Sequence, residues 1–206
     1  MTDDPRLAVL GQFTPEGELT RGHGDHYLFF VGRDDVHGIL HHLISNERLS
    51  FRCNMFGYAD PELNDDIMAL MRDPSVHVSL SLDRVQASGA HERAILAEDA
   101  KLDSEKFAES VVVMTSATHD IDHTKGGVLS GQGIGFEGST NWSASGEGTG
   151  VSLKADVKNP KGYHAQNNTL LVSTNPVFLA RFAARLDVEH QVGLAQQAKR
   201  ISEGKA

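Results

Sequence analysis

Apolar positions along this chain fall into two rhythms, short runs suited to strands and longer stretches with helical spacing. Tyr27-Leu-Phe-Phe-Val31 reads as a short buried strand. Val36, Ile39, Leu40, Leu43 and Ile44 then recur at helical intervals, with Asp34 or Asp35 placed to cap that helix. Leu49 to Phe56 alternates enough for a strand. In ADPELNDDIMALMRD, Asp60 suits an N-cap, Pro61 suits the first turn, and Leu63, Ile67, Leu70 and Met71 share one face. Val76 to Leu82 alternates apolar and polar residues, the pattern of a half-buried strand. A helix is predicted from about Ser88 to Ala100, and Val111-Val-Val-Met114 reads as a buried strand. Thr169 to Val172 is a further strand, and Pro176 opens a helix bearing Phe178, Leu179, Phe182 and Leu186.

The order predicts an α/β fold: a single domain with a mixed, largely parallel β-sheet flanked by helices. Residues 1–20 read as a loosely ordered N-terminal tail and 21–200 as the folded domain. The Gly/Ser/Lys/Asn-rich stretch from Ser143 to Gln166 reads as a second segment outside the core.

Composition narrows the function classes. The chain has 206 residues, 39% of them hydrophobic and 23% charged, in the range of a soluble globular protein. Neither a signal-peptide pattern nor a stretch of membrane-spanning length is present in the sequence. Cys53 is the sole cysteine, so no intrachain disulfide forms, and a cytoplasmic setting is expected. The net charge of −9 argues against broad binding of nucleic acid by a basic surface. A phosphodiester would have to be handled by a local cationic site.

One stretch offers such a site. In HTKGGVLSGQGIGFEGSTNWS, residues 123–130 and 134–141 are expected to form an antiparallel hairpin turning at Gly131-Gln132-Gly133. A centre at Gln132 sets Lys125 opposite Ser139 and His123 opposite Asn141, so that all four polar groups leave one face of the open end. A neutral imidazole can attack phosphorus, while an ammonium, an amide and a hydroxyl donate to the phosphoryl oxygens. There is no acid cluster here for a metal. The competing reading is a polar hairpin end with a solvated His and Lys.

His123-Thr-Lys125 followed by Gly138-Ser139-Thr-Asn141 resembles the His-x-Lys…Gly-Ser-x-Asn signature of the phospholipase D superfamily. The likeness runs from about Val31 to His190. FGYADPELNDDIMALM and VHVSLSLDR look like its early strand–helix–strand unit, EGSTNWSASGE like its Gly-Ser-Thr-Asn-Trp-Ser variant, and NNTLLVSTNPVFLARFAARLD like its closing strand and helix. One copy of the signature in a chain this short resembles the single-motif, nuclease-like branch. That resemblance implies a phospholipase D-like catalytic domain over 21–200, working as a homodimer with its active site at the interface. It implies metal-independent phosphodiester hydrolysis without a cofactor, through a phosphohistidine on His123. The symmetry-related His123 would serve as acid and base, with Lys125 and Asn141 on the phosphoryl group and Ser139 in support. DNA or RNA is the favoured substrate and phospholipid is possible. The alternatives are a phospholipase D-type headgroup hydrolase or transferase, and a catalytically weakened member acting as a binding module.

The chain departs from the family pattern twice. Ser130 stands where the signature usually has Asp, and strand parity points it away from His123. Gln166 stands where the family often has a Glu that orients the imidazole; an amide oxygen accepts the N–H but does not stabilise imidazolium as a carboxylate does. Asp120, Asp122, Glu137 and Glu147 are all candidates for a substitute acid. Trp142 is a candidate for stacking on a base or headgroup, or else a packing anchor beneath the site. HGDH (His23 to His26) and HDIDH (His119 to His123) have metal-ligand spacing but no cysteine partners, and are expected to be solvated. His37, His41 and His42 are expected at the surface of their helix. GQGIGF lacks the third glycine of a dinucleotide-binding turn, since Phe136 occupies that place.

Overall fold

The computed structural model describes residues 4–15, 24–102, 104–116, 121–149 and 165–204. Helix α1 (Pro5–Ala8) and a 3-10 turn (Val9–Phe13) lead to β1 (His26–Phe30), α2 (Val36–Ser45), β2 (Ser50–Met55), α3 (Pro61–Arg72) and β3 (His77–Asp83). There follow α4 (Arg84–Ala87), α5 (Ala90–Leu102), α6 (Ser104–Ser110) and β4 (Val111–Met114). The chain then forms β5 (Lys125–Leu129), β6 (Ile134–Gly138), α7 (Ala144–Glu147), β7 (Thr169–Ser173) and α8 (Pro176–Ser202).

Local chemistry sets the helix starts. Asp35 rather than Asp34 caps α2, its carboxylate accepting from the Gly38 amide at 2.9 Å. Asp34 instead accepts from the Phe30 amide and closes the turn before it. Asp60 caps α3 through the Leu63 amide, with Pro61 in the first turn, and Asn175 caps α8 ahead of Pro176.

The seven strands form one mixed sheet in the order β1-β7-β6-β5-β2-β3-β4. It is mixed and helix-flanked, as expected, but the expected parallel majority is not found. Only β2-β3 and β3-β4 pair parallel; the other four pairings are antiparallel. The strand–helix alternation is real through β4, and there it gives the two parallel pairings. Beyond it, β5 and β6 form a hairpin and β7 returns beside β6, so that half of the sheet is antiparallel.

The main core lies on the face that carries Phe51, Cys53 and Met55 of β2, packed with Ile39, Leu40 and Leu43 of α2 and Leu63 and Ile67 of α3. Helix α8 covers the other face. Ser81 of β3 bonds His190 at 3.2 Å, and Arg200 donates to the Val113 carbonyl at 2.9 Å. That explains one departure from expectation. The polar residues of β3 read as a solvent face, yet Ser79 and Ser81 are buried because α8 lies over them. Residues 4–15, in the segment expected to be loosely ordered, are folded onto the domain. Leu7 and Leu10 are fully buried, and Arg6 reaches the Gly133 carbonyl at 3.0 Å. Cys53 is buried, which pushes its thiol pKa well up.

Candidate active site at the end of strand β2

Strand β5 carries Lys125 into the sheet between β2 and β6. Met55 stands directly opposite Lys125, so the lysine leaves on the same face as Met55. The hairpin register differs by one from the sequence expectation. Gly126 pairs with Glu137 and Leu129 with Ile134. The connection is a four-residue turn, Ser130 to Gly133, closed by the Gly133 amide on the Ser130 carbonyl, with Gly133 at φ +62°. Continuing that register sets Lys125 level with Gly138, not Ser139. The expected cross-strand pairs Lys125–Ser139 and His123–Asn141 therefore do not form by strand pairing.

The groups are gathered instead by the two residues that follow β2. The Phe56 ring meets the His123 ring edge-on with centroids 4.4 Å apart, and the Lys125 ammonium lies 4.7 Å from the centre of the same ring. Gly57 backs Asn141 so closely that a Cβ there would stand 2.9 Å from the Asn141 Cβ. Backbone bonds fix both contacts: the Phe56 amide donates to Thr124, and the Trp142 amide donates to Gly57 at 2.8 Å. Two consecutive residues thus touch all three: Phe56 meets His123 and Lys125, and Gly57 backs Asn141.

Their environments differ. His123 is exposed, and the Lys125 Nζ donates to its carbonyl at 2.9 Å. Lys125 is buried, and desolvation lowers its pKa, opposed by the charges of Asp122 and Asp83. Asn141 is half-buried and its Oδ1 is fully sheltered with no hydrogen-bond partner among the described residues. Ser139 is exposed just past the end of β6, where its hydroxyl oxygen accepts at 3.0 Å from the amide of Thr169, the first residue of β7.

Among the described residues no carboxylate bonds the His123 imidazole. Asp122 is buried and accepts from the Asn54 side-chain amide at 2.8 Å; burial raises its pKa. Glu137 is exposed on β6, and Glu147 bonds His37. Asp120 lies outside the described residues, as do His23, His119 and 150–164 of the polar segment. Gln166 turns to Asn168, whose amide donates to it at 3.1 Å, and does not bond the imidazole. Ser130 takes the position of the missing Asp without emptying it. Its hydroxyl bonds Ser50 and Arg52, and Arg52 continues to Asp187. Strand parity had pointed it away from His123, and its partners are all on the far side.

Of the two readings of Trp142, a stacking residue for substrate or a packing anchor, the second fits: the residue is 1% exposed. Its ring is packed against Tyr58 and Phe136 at 5.7 and 6.4 Å, so it anchors the Asn141 segment from below. Truncation to Ala would cost about 3–5 kcal/mol in packing. His37, read as a surface residue, is instead clamped on both nitrogens. Its Nδ1 lies 2.6 Å from Glu147 and 3.6 Å from Asp60, and its Nε2 lies 3.0 Å from Glu62. The Glu147 bond raises the His37 pKa to about 9, while burial raises that of Glu147 to about 7. Both shifts keep a proton on the pair. His37, Asp60 and Glu147 are far apart in sequence and share no motif, so periodicity could not join them.

No family model and no curated protein matches this sequence. Solved structures do match. A phospholipase D family member, Nuc from Salmonella typhimurium, is 14% identical with a TM-score of 0.57, covering 82% of this chain and 97% of its own. NucT from Helicobacter pylori is 13% identical with a TM-score of 0.57, covering 81% and 96%. Phosphatidylserine synthase from Haemophilus influenzae Rd KW20 is 12% identical with a TM-score of 0.58, over 78% of this chain but 36% of its own. Among the described residues no helix is long and apolar enough to cross a membrane. The signature read from the sequence and the sheet that carries it agree: this chain has the fold of the phospholipase D family.

Proposed function

We propose that the chain is a phosphodiesterase of nuclease type whose nucleophile is His123. The observation that carries this reading is the convergence on Phe56 and Gly57 of an exposed imidazole, a buried ammonium and a half-buried amide. An exposed ring can reach a phosphorus atom. A desolvated ammonium acts more strongly on a phosphoryl oxygen than a hydrated one. Asn141 supplies an amide donor from a side chain held between Gly57 and the Trp142 anchor.

The His123 imidazole nitrogen attacks phosphorus and the bond to the leaving oxygen breaks. The departing alkoxide takes a proton from the protonated His123 of a second copy of the chain. That second imidazole, now neutral, takes a proton from water, whose oxygen attacks the phosphohistidine and frees the phosphomonoester and His123. Lys125 and Asn141 hold the phosphoryl oxygens through both steps, so no metal is needed at phosphorus. Two signatures across a two-fold axis supply the two histidines, and two Lys125 side chains give a cationic cleft in a protein of net charge −9.

The test is turnover of a chromogenic phosphodiester, single- and double-stranded DNA, RNA and phosphatidylcholine in excess chelator, with His123→Ala beside the wild type. Chelator-resistant cleavage of nucleic acid, with an acid-labile phosphoenzyme on the wild type alone, is expected. Headgroup release without nucleic-acid cleavage would move the assignment to a lipid substrate. Ligand binding without turnover would make the chain a binding module. Light scattering over a dilution series checks the dimer, and a fully active monomer would refute the shared site.

A further inference from the structure

A second constellation stands beside the first. The loop that begins with Phe56 and Gly57 ends at Asp60, and the segment that begins with Asn141 ends in α7 at Glu147. The Ala59 amide donates to the Trp142 carbonyl at 2.7 Å and holds the two segments together. His37, in the first turn of α2, lies between Asp60 and Glu147. One ligand atom from each of the three residues falls within 4.8 Å of the others.

The carboxylate of Glu147 is the telling group. The residue is 2% exposed, its Oε2 touches His37, and its Oε1 is buried with no hydrogen-bond partner among the described residues. A buried carboxylate oxygen without a donor is costly, and a cation beside it is one of the few things that offsets that cost. Asp60 is buried as well, so these are not acids spread over a solvated surface.

We propose that His37 Nδ1, Asp60 and Glu147 form a divalent transition-metal site that pins α2 to the two segments carrying Gly57 and Asn141. The donors are one imidazole nitrogen and carboxylate oxygens, a set that suits zinc-class ions better than magnesium or calcium. Bonds of about 2.0–2.1 Å at tetrahedral angles hold ligand atoms about 3.4 Å apart. The 3.6 Å between His37 Nδ1 and Asp60 already fits, and the 2.6 Å to Glu147 opens by less than an ångström as the ion replaces the shared proton. The other ring nitrogen, Nε2, stays bonded to Glu62 at 3.0 Å, which fixes the ring orientation as carboxylates commonly do for metal-bound histidine. An imidazole and two carboxylates leave a coordination position for water. The site is separate from the phosphoryl chemistry and does not depend on what His123 does.

The experiment uses the full chain stripped with chelator and dialysed at neutral pH. Isothermal titration with Zn2+ should show one tight site per chain, and Co2+ should give a visible ligand-field band. Glu147→Gln and His37→Gln should each weaken Zn2+ binding at least about ten-fold and abolish the band. His41→Gln, which removes a similar histidine bonded to Asp66 at 2.7 Å, should leave both signals intact. Circular dichroism checks that each variant folds, and His37→Gln carries the test if Glu147→Gln does not. No tight Zn2+ binding, or binding equally weakened by His41→Gln, would overturn the proposal. Activity is not the readout, so chelator-resistant turnover and a metal site at His37 stand or fall separately.

Discussion

Two histidines near the same loop differ in almost every physical respect. His123 is exposed, lies edge-on to Phe56, and meets no carboxylate among the described residues. His37 is half-buried between Glu147, Asp60 and Glu62, and its pKa is raised to about 9. A nucleophile must be neutral and reachable, whereas a histidine clamped by acids is held protonated and closed in. Carboxylate partners alone would have pointed to His37 and not to the proposed nucleophile, His123. What marks His123 is its neighbour two residues on, a buried lysine at the same aromatic ring.

The largest separation between the two should come from activity. His123→Ala should lose about 10³-fold or more in turnover while its melting temperature barely moves, because the ring is exposed. His37→Gln should do the reverse, keeping most of the turnover and melting earlier. Equal losses of turnover in both variants, measured on one phosphodiester, would dissolve the contrast.

Lys125→Met comes next. It should cost about 10²–10³-fold in turnover and leave the melting temperature unchanged or higher, because the charged amine is held out of water. The pH sign follows from the lowered pKa. The folded protein loses this proton more readily than the unfolded chain does. The cost of burying the ammonium is therefore felt at neutral pH and relieved as pH rises from the folded pKa to the ordinary lysine value. Activity that needs the ammonium should fall along the same alkaline limb, starting below that ordinary value. A wild-type limb that matches a free lysine would contradict the burial.

Gly57→Ala should be weaker, about 10–10²-fold in turnover, by pushing Asn141 out of place. Its effect should vanish when Asn141 is already Ala, and a double-mutant cycle with additive losses would show that Gly57 acts elsewhere. The smallest effect is expected of Gln166→Glu. With the side chain held by Asn168, restoring an acid there should leave turnover and its pH profile unchanged. A marked gain would mean that this side chain reaches His123 during the reaction.

Much of the fold was legible in the chain because burial and capping agreed locally. The apolar spacing of α2 and α3, Asp60 with Pro61, and the Val111–Met114 run of β4 each admit one reading. The failures have physical causes. The turn after Leu129 takes four residues where the glycine spacing suggested three, and one residue of register moves every cross-strand neighbour. Ser79 and Ser81 looked like a solvent face because a sequence does not show that α8 will cover them. The short helices α4 and α6 are too brief for periodicity to reveal. At the site, the signature residues were found, but what gathers them, Phe56 and Gly57, carries no motif. Trp142 kept two readings, stacking or packing, because adjacency to Asn141 says nothing of depth. His37 was missed because its acids come from two other parts of the chain, the start of α3 and α7.

The depth of Cys53 has a practical consequence. The molecule's single thiol is sealed inside the sheet and held protonated, so its outer surface is silent to maleimide and iodoacetamide reagents. No cysteine-free background has to be built. Exchanging the exposed Ile121, two positions before His123, for cysteine would create one addressable handle beside the proposed nucleophile. A dye or spin label placed there would test the proposed dimer directly, by the spacing between the labels of two copies in solution.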